Sequence, residues 1–260
     1  DFKHRIIQLM DLQSAGVILR ILNLVALADG GVSLEEENLL DSLSKQYKLQ
    51  AKIINWEDQL SDPACIEELA ALINPADPAD PIGLQYIPDA AELITAPHES
   101  EDPTADAPFT PVKGVVHRYP DRALLKPLLA CPVYCRFCFR REKVGPDGGL
   151  LTEAELQAAL AWFEGTTAIR EVILTGGDPL MLSARRLQEI LGRLADVAHI
   201  ETLRIHTRVP VADPARVTGS LVAALRQAKP VFIAVHANHA REFTPDAARA
   251  LARLAEAGVP

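Results

Sequence analysis

Apolar residues recur at helical spacing near the start of the chain: Ile6, Ile7 and Met10, then Val17, Ile18, Ile21, Leu22 and Val25. Asp29-Gly30-Gly31 ends that pattern, and Ser33 with Glu36 three residues on reads as a capping box for the next helix. Residues 1–50 are therefore predicted to be a small helical appendage. A calcium loop at residues 29–37 is disfavoured, because two glycines follow the single Asp where oxygen ligands should alternate.

Residues 51–111 read as a helical and then proline-rich strap. Eight of the nineteen prolines lie between residues 74 and 111, including Asn74-Pro75-Ala76-Asp77-Pro78-Ala79-Asp80-Pro81. Proline lacks an amide donor and drives its predecessor from the α region, so an extended course is predicted. The apolar residues Ile82, Leu84, Tyr86, Ile87, Leu93 and Ile94 favour an ordered strap over a flexible linker.

A regular alternation then occupies residues 112–260. The pattern predicts one strand within residues 115–129, a helix over 152–163 capped by Thr152, and a buried strand over 171–175. A helix over 183–194, a strand over 202–206, a helix over 216–227, a strand over 231–236 and a helix over 244–257 follow. Repeated strand–helix units imply an α/β fold with a parallel sheet and right-handed crossovers. Four units are too few for a closed barrel, so part of a (β/α) barrel is expected, with ligands at the carboxyl ends of the strands. The chain opens on Asp1 rather than Met and stops at Gly258-Val259-Pro260, just after a helix, and is therefore expected to be a fragment.

Composition changes this picture little. The 260 residues are 48% hydrophobic and 23% charged, as in an ordinary globular protein. Twenty-six Lys and Arg against thirty-five Asp and Glu leave −9, which argues against a broad nucleic-acid surface. The longest apolar runs, such as residues 231–235, are too short to cross a membrane, and no signal peptide opens the chain.

The cysteines change it most. Cys131, Cys135 and Cys138 fall within eight residues, spaced three and then two apart, directly after a predicted strand. Thiols this close cannot all pair as disulfides, and nothing suggests secretion. Structural zinc usually takes four ligands in two pairs, and the remaining Cys65 lies across the proline-rich segment. An iron–sulfur cube held by three thiolates leaves one iron open to a substrate or cofactor. Zinc is the competing reading.

Other candidates are less specific in isolation. Thr175-Gly176-Gly177-Asp178-Pro179 follows a strand, and its glycines suit either close approach of a ligand or a plain turn into the next helix. Arg118, Tyr119 and Arg122 crowd one short segment, and an Arg fork suits phosphate as well as solvent. His206 and His236 each end a predicted strand.

Taken together, CxxxCxxC within VVHRYPDRALLKPLLACPVYCRFCFRRE, followed by EVILTGGDPL, RIHTRVPVADPARVT and HANH, resembles the lysine 2,3-aminomutase family of radical S-adenosylmethionine (SAM) enzymes over about residues 70–260. ADGGVSLEEENLL near the start resembles the tellurite-resistance-B-like helical module, which carries no chemistry. The first resemblance implies an isomerase that moves an α-amino group to the β-carbon, L-lysine to β-lysine. It implies a 4Fe–4S cluster on Cys131, Cys135 and Cys138, with SAM on the open iron and near Thr175, Gly176, Gly177, Asp178, His236 and Asn238. It implies pyridoxal 5′-phosphate with its phosphate near Arg118, Tyr119, Arg122 and Arg216, with Arg208 a rival for Arg216, and the substrate carboxylate on Arg140. The partners implied are an amino-acid substrate and an electron donor of flavodoxin or ferredoxin type in the cytoplasm, with no nucleic acid or membrane and with room for a homo-oligomer. The family's lysine that carries pyridoxal phosphate matches none of Lys113, Lys126, Lys143 and Lys229. The chain as given is therefore expected to cleave SAM at most. A branch that modifies elongation factor P and a non-catalytic cluster-binding protein are the alternatives.

Overall fold

The structure is a computed structural model, and it describes residues 68–87, 99–100, 102–141, 143–145 and 149–260. The appendage predicted over residues 1–50, the loop at 29–37 and Cys65 lie outside the described residues. The chain divides into two compact units, Asp1–Ser100 and Glu101–Pro260.

Within the first unit the proline triplets form tandem turns rather than an extended course. The Asp77 amide donates to the Asn74 carbonyl at 3.1 Å, and the Asp80 amide donates to the Asp77 carbonyl at 3.0 Å. Asn74, Asp77 and Asp80 each accept, through a side-chain oxygen, from the amide two residues on, at 2.9–3.1 Å. Each proline thus occupies the second turn position, where its fixed φ is an advantage, and each Asx side chain closes the turn. Asp80 also accepts from the Gly83 amide at 2.8 Å, which starts the helical turn Gly83–Tyr86.

The second unit is built on a five-stranded sheet, ordered β1 (Val115–Tyr119), β2 (Arg122–Leu128), β3 (Glu171–Gly176), β4 (Thr202–Thr207) and β5 (Val231–Val235). β1 and β2 are antiparallel, and all later neighbours are parallel. Where one strand was expected there is therefore a hairpin. Pro120 and Asp121 form its two-residue connection, with Tyr119 opposite Arg122.

Between the parallel strands lie helices α1 (Glu153–Gly165), α2 (Ala184–Asp196) and α3 (Gly219–Leu225), and α4 (Pro245–Glu256) follows β5. Thr152 caps α1 in a full capping box, and Ser183 and Thr244 cap α2 and α4 through their hydroxyls. α3 starts later than its apolar pattern suggested. Pro214–Arg216 forms a separate 3-10 turn, and Thr218 then caps the true start by accepting from the Leu221 amide. A mixed sheet whose parallel strands are joined through helices is the α/β architecture that the strand–helix alternation predicts.

The two faces of the sheet differ in kind. Ala123, Val172, Leu203 and Val231 stand level across β2–β5 and belong to one buried core with Leu156, Leu160, Leu187 and Leu191 from α1 and α2. On the other face Leu124, Ile173, Arg204 and Phe232 stand level, with Arg122, Glu171 and His206 on the same side. That face carries the charge of the sheet. Glu171, at the start of β3, lies 2.5 Å from Arg204 and 3.9 Å from Arg122.

Candidate active site

The loop that holds the cysteines leaves the carboxyl end of β2 and is fastened to the end of β3. The Gly177 amide donates to the Leu128 carbonyl and the Asp178 amide to the Ala130 carbonyl, both at 2.9 Å. Gly176 has φ +107, which disfavours a side chain. A Cβ on Gly177 would lie 2.2 Å from the Ala130 carbonyl oxygen. These two glycines are therefore required by the approach of backbone to backbone, which brings Asp178 beside Cys131.

Asp178 is buried and organises the end of β4. One carboxylate oxygen accepts from the Leu180 amide at 3.0 Å and from the Thr207 hydroxyl at 2.7 Å. The other accepts from the amides of Arg208 and Val209 at 2.7 and 3.2 Å. Burial pushes its pKa up, and these donors pull against the shift.

Arg208 turns back from β4 towards the cysteines. Its guanidinium donates to the Cys135 sulfur at 2.9 Å and to Glu242 at 2.6 Å, and its Cζ lies 5.9 Å from the centre of the Phe137 ring. Glu242, wholly buried, also accepts from the amides of Asn238 and His239 at 2.8 Å. His236 follows β5 with its amide on the Thr207 carbonyl at 2.8 Å. Its ring lies 5.8 Å from that of Phe137, and its Nε2 is 2.9 Å from the Asn238 side-chain oxygen. The ends of β2, β3, β4 and β5 thus meet around one short loop.

The three cysteines are free and partly buried. Burial, then the Asp178 carboxylate and the other two cysteines, push the Cys131 thiol far above its ordinary value. Burial also raises Cys135, with Arg208 pulling it down. A metal core beside thiols so placed would favour their ionised form, since its charge offsets their mutual repulsion. Among the described residues no three His, Cys, Asp or Glu converge on one ion. A cube asks for a different arrangement, one thiolate to each of three irons. By the chemistry of its donors the loop fits a 4Fe–4S cluster.

The remaining candidates are distributed differently. Arg140 donates from Nε and Nη2 to Asp106 at 3.3 and 3.2 Å, and Lys126 and Arg118 each lie 3.6 Å from the same carboxylate. Arg118 also donates to the carbonyls of Thr104 and Ala105 and lies over the Phe109 ring. Arg122 sits at the opposite end of β2 from Cys131, against Asp121 and beneath the exposed Tyr119 ring. Arg216 donates to the Leu180 and Met181 carbonyls at 3.0 and 2.7 Å, beyond the carboxyl end of β3. Arg118, Tyr119 and Arg122 therefore share the hairpin, and Arg216 does not join them. As arranged, these four do not form a single cradle for a phosphate.

Four participants carried no local signal. Asp106 lies in a proline-rich stretch, Glu242 in a loop after β5, and Glu171 and Arg204 meet only through strand register. His206 shares the charged face, and partial burial and Arg204 push its pKa below the usual histidine value.

The radical SAM superfamily profile matches residues 125–260, more than half of the chain. The chain belongs to the radical SAM superfamily. The L-lysine 2,3-aminomutase of Acetoanaerobium sticklandii is 39% identical over 190 residues, 73% of this chain and 46% of that protein. The L-lysine 2,3-aminomutase of Clostridium subterminale is 40% identical over 190 residues, again 73% and 46%. The glutamate 2,3-aminomutase of Clostridioides difficile is 36% identical over 190 residues, 73% of this chain and 45% of that protein. The chain spans about half the length of these relatives. Among the described residues of this radical SAM protein, no helix is long and apolar enough to cross a membrane.

Proposed function

We propose that this chain carries the cluster-binding part of an amino-acid 2,3-aminomutase, an isomerase that takes L-lysine to β-lysine. One observation carries the reading. The Cys135 thiol, the Arg208 guanidinium, the Phe137 ring and His236 form a continuous set of contacts at the carboxyl ends of the parallel strands, the end where barrels bind ligands. The names of the relatives supply the reaction class.

In this reading Cys131, Cys135 and Cys138 would hold a 4Fe–4S cluster and leave it open to SAM. When both are bound, one-electron cleavage of the sulfonium supplies a 5′-deoxyadenosyl radical. The chain's own work is to orient. Gly176 and Gly177 keep the Thr175–Asp178 rim against Ala130, and Asp178 locks the end of β4 to that rim. His236 and Asn238 form the opposite rim. Phe137, half exposed, lies between Arg208 and His236 on the sulfur side.

Arg140 is the proposed grip for the substrate carboxylate, a bidentate task that suits its fork. Asp106 already neutralises it, so an incoming carboxylate competes with an internal one. Pyridoxal phosphate belongs to the proposal as a cofactor of the complete reaction. Its phosphate has no ready cradle, since Arg118 and Arg122 lie on the hairpin, away from Arg216. A flavodoxin or ferredoxin type of donor and a cytoplasmic location, where close thiols stay reduced, complete the reading.

Anaerobic reconstitution tests it. Iron and sulfide should load at about four each per chain for one cube, and reductant with SAM should yield 5′-deoxyadenosine. Whichever of L-lysine and L-glutamate raises the yield of 5′-deoxyadenosine separates the substrates named by the relatives. Zinc in place of iron and sulfide, or cluster loading unchanged after Cys131, Cys135 and Cys138 are all replaced by serine, would overturn it.

A further inference from the structure

The Arg208–Glu242 pair is too deeply placed to be an ordinary surface ion pair. Its side chains are 6% and 1% exposed, and its atoms are 2.6 Å apart. Burying two charges costs about as much as their attraction returns, so such a pair is weak evidence of a stabilising role. Its geometry has another consequence. Glu242 is fixed by the amides of Asn238 and His239, and the Arg208 backbone is fixed by Asp178. The guanidinium is held from two sides, and its Nη1 points at the Cys135 sulfur.

We propose that Arg208, braced by Glu242, is a positioning residue for the cluster that donates a charged hydrogen bond to the Cys135 thiolate and favours the reduced state. The inference rests on the reading that the three cysteines hold a 4Fe–4S cluster. Guanidinium stays charged at any working pH, so the donor is permanent. A cluster gains negative charge when it takes an electron. A cation and an N–H donor on a ligand sulfur stabilise that state and raise the reduction potential. Lysine keeps the charge but lacks the fork, so it cannot serve Cys135 and Glu242 together in the same geometry. Arg208 thus acts through the sulfur, without touching the substrate.

The test uses the reconstituted chain, with iron and sulfide counted first and the potential then measured by EPR-monitored titration. Arg208→Gln should hold its electron at least tenfold more weakly, which for one electron is about 59 mV lower, and Arg208→Lys should fall between it and the wild type. Wild type grown with guanidino-15N arginine should show a 15N coupling to the reduced cluster that Arg208→Lys removes and Arg140→Lys keeps. This measurement needs no Arg208→Gln protein and decides the matter if that variant fails to fold. An unchanged potential in a fully loaded Arg208→Gln, or a loaded wild type with no such coupling, overturns this inference alone. A wild type that takes up no iron overturns the cluster reading and this inference with it.

Discussion

Gly177 lies so close to Ala130 that an added Cβ would sit 2.2 Å from the carbonyl oxygen, 2.6 Å from the amide nitrogen and 2.8 Å from the carbonyl carbon. All three contacts are backbone, and no rotamer change relieves them. Gly177→Ala must therefore part the end of β3 from the start of the cysteine loop. A loss of about 3 kcal/mol is expected, the upper part of the range for overpacking, and iron loading should fall with it. Gly165→Ala is the control, since nothing lies within 4 Å of its added carbon. Urea midpoints should shift strongly for the first and hardly at all for the second.

Asp178 faces only donors, which makes the choice of replacement informative. An asparagine would point its nitrogen towards Leu180 and Thr207, because the Thr207 hydroxyl can rotate to accept while the amides of Arg208 and Val209 cannot. One orphaned amide remains, at a cost of about 2 kcal/mol. Asp178→Ala leaves the whole set without its acceptor and should cost clearly more. Thermal denaturation of both variants beside the wild type checks the order.

How much of this was legible from the sequence depended on range. Thr152 could be read as a cap because capping is settled within three residues, and β3, β4 and β5 followed from short apolar runs between helices. The hairpin at Pro120 carries no mark in the pattern, because the apolar positions continue through both of its strands, and only the pairing of Tyr119 with Arg122 reveals the reversal. At the proline triplets the lost amide donor predicts an extended course, but the Asx side chain before each proline closes a turn instead. In the site, the cysteine spacing is local and could be read directly. Arg208 and Cys135 lie 73 positions apart, and Arg140 and Asp106 lie 34 apart. No local pattern marks such pairs, because only the order of strands brings them together.

The three cations around Asp106 give a graded prediction. The Asp106 side chain is 7% exposed, those of Arg140 and Lys126 are each 12% exposed, and that of Arg118 is 36% exposed. Asp106→Ala leaves two nearly buried cations without their shared counter-charge, which should cost about 3 kcal/mol, the lower end of the range for breaking a buried pair. Arg140→Ala should cost less, since Lys126 still faces the carboxylate. Arg118→Ala should cost below about 1 kcal/mol, as exposed pairs do. Denaturant unfolding of the three variants should rank them in that order.

Glu155 ties the start of α1 to β1's approach and should make the fold sensitive to acid. Its carboxylate accepts from Lys113 at 2.6 Å and from the Thr152 amide at 2.8 Å, and these bonds hold its pKa down to about 2 from an ordinary 4.5. Because the folded value lies below the unfolded one, the unfolded chain binds the proton more tightly. The contribution is therefore complete above pH 4.5 and is lost as pH falls towards 2. Glu155→Gln cannot lose that contribution, having none. Wild type should unfold at higher urea than Glu155→Gln at pH 7, and the gap should narrow steadily between pH 4.5 and pH 2. A gap that stays constant across this range would mean that the carboxylate charge at the start of α1 contributes nothing.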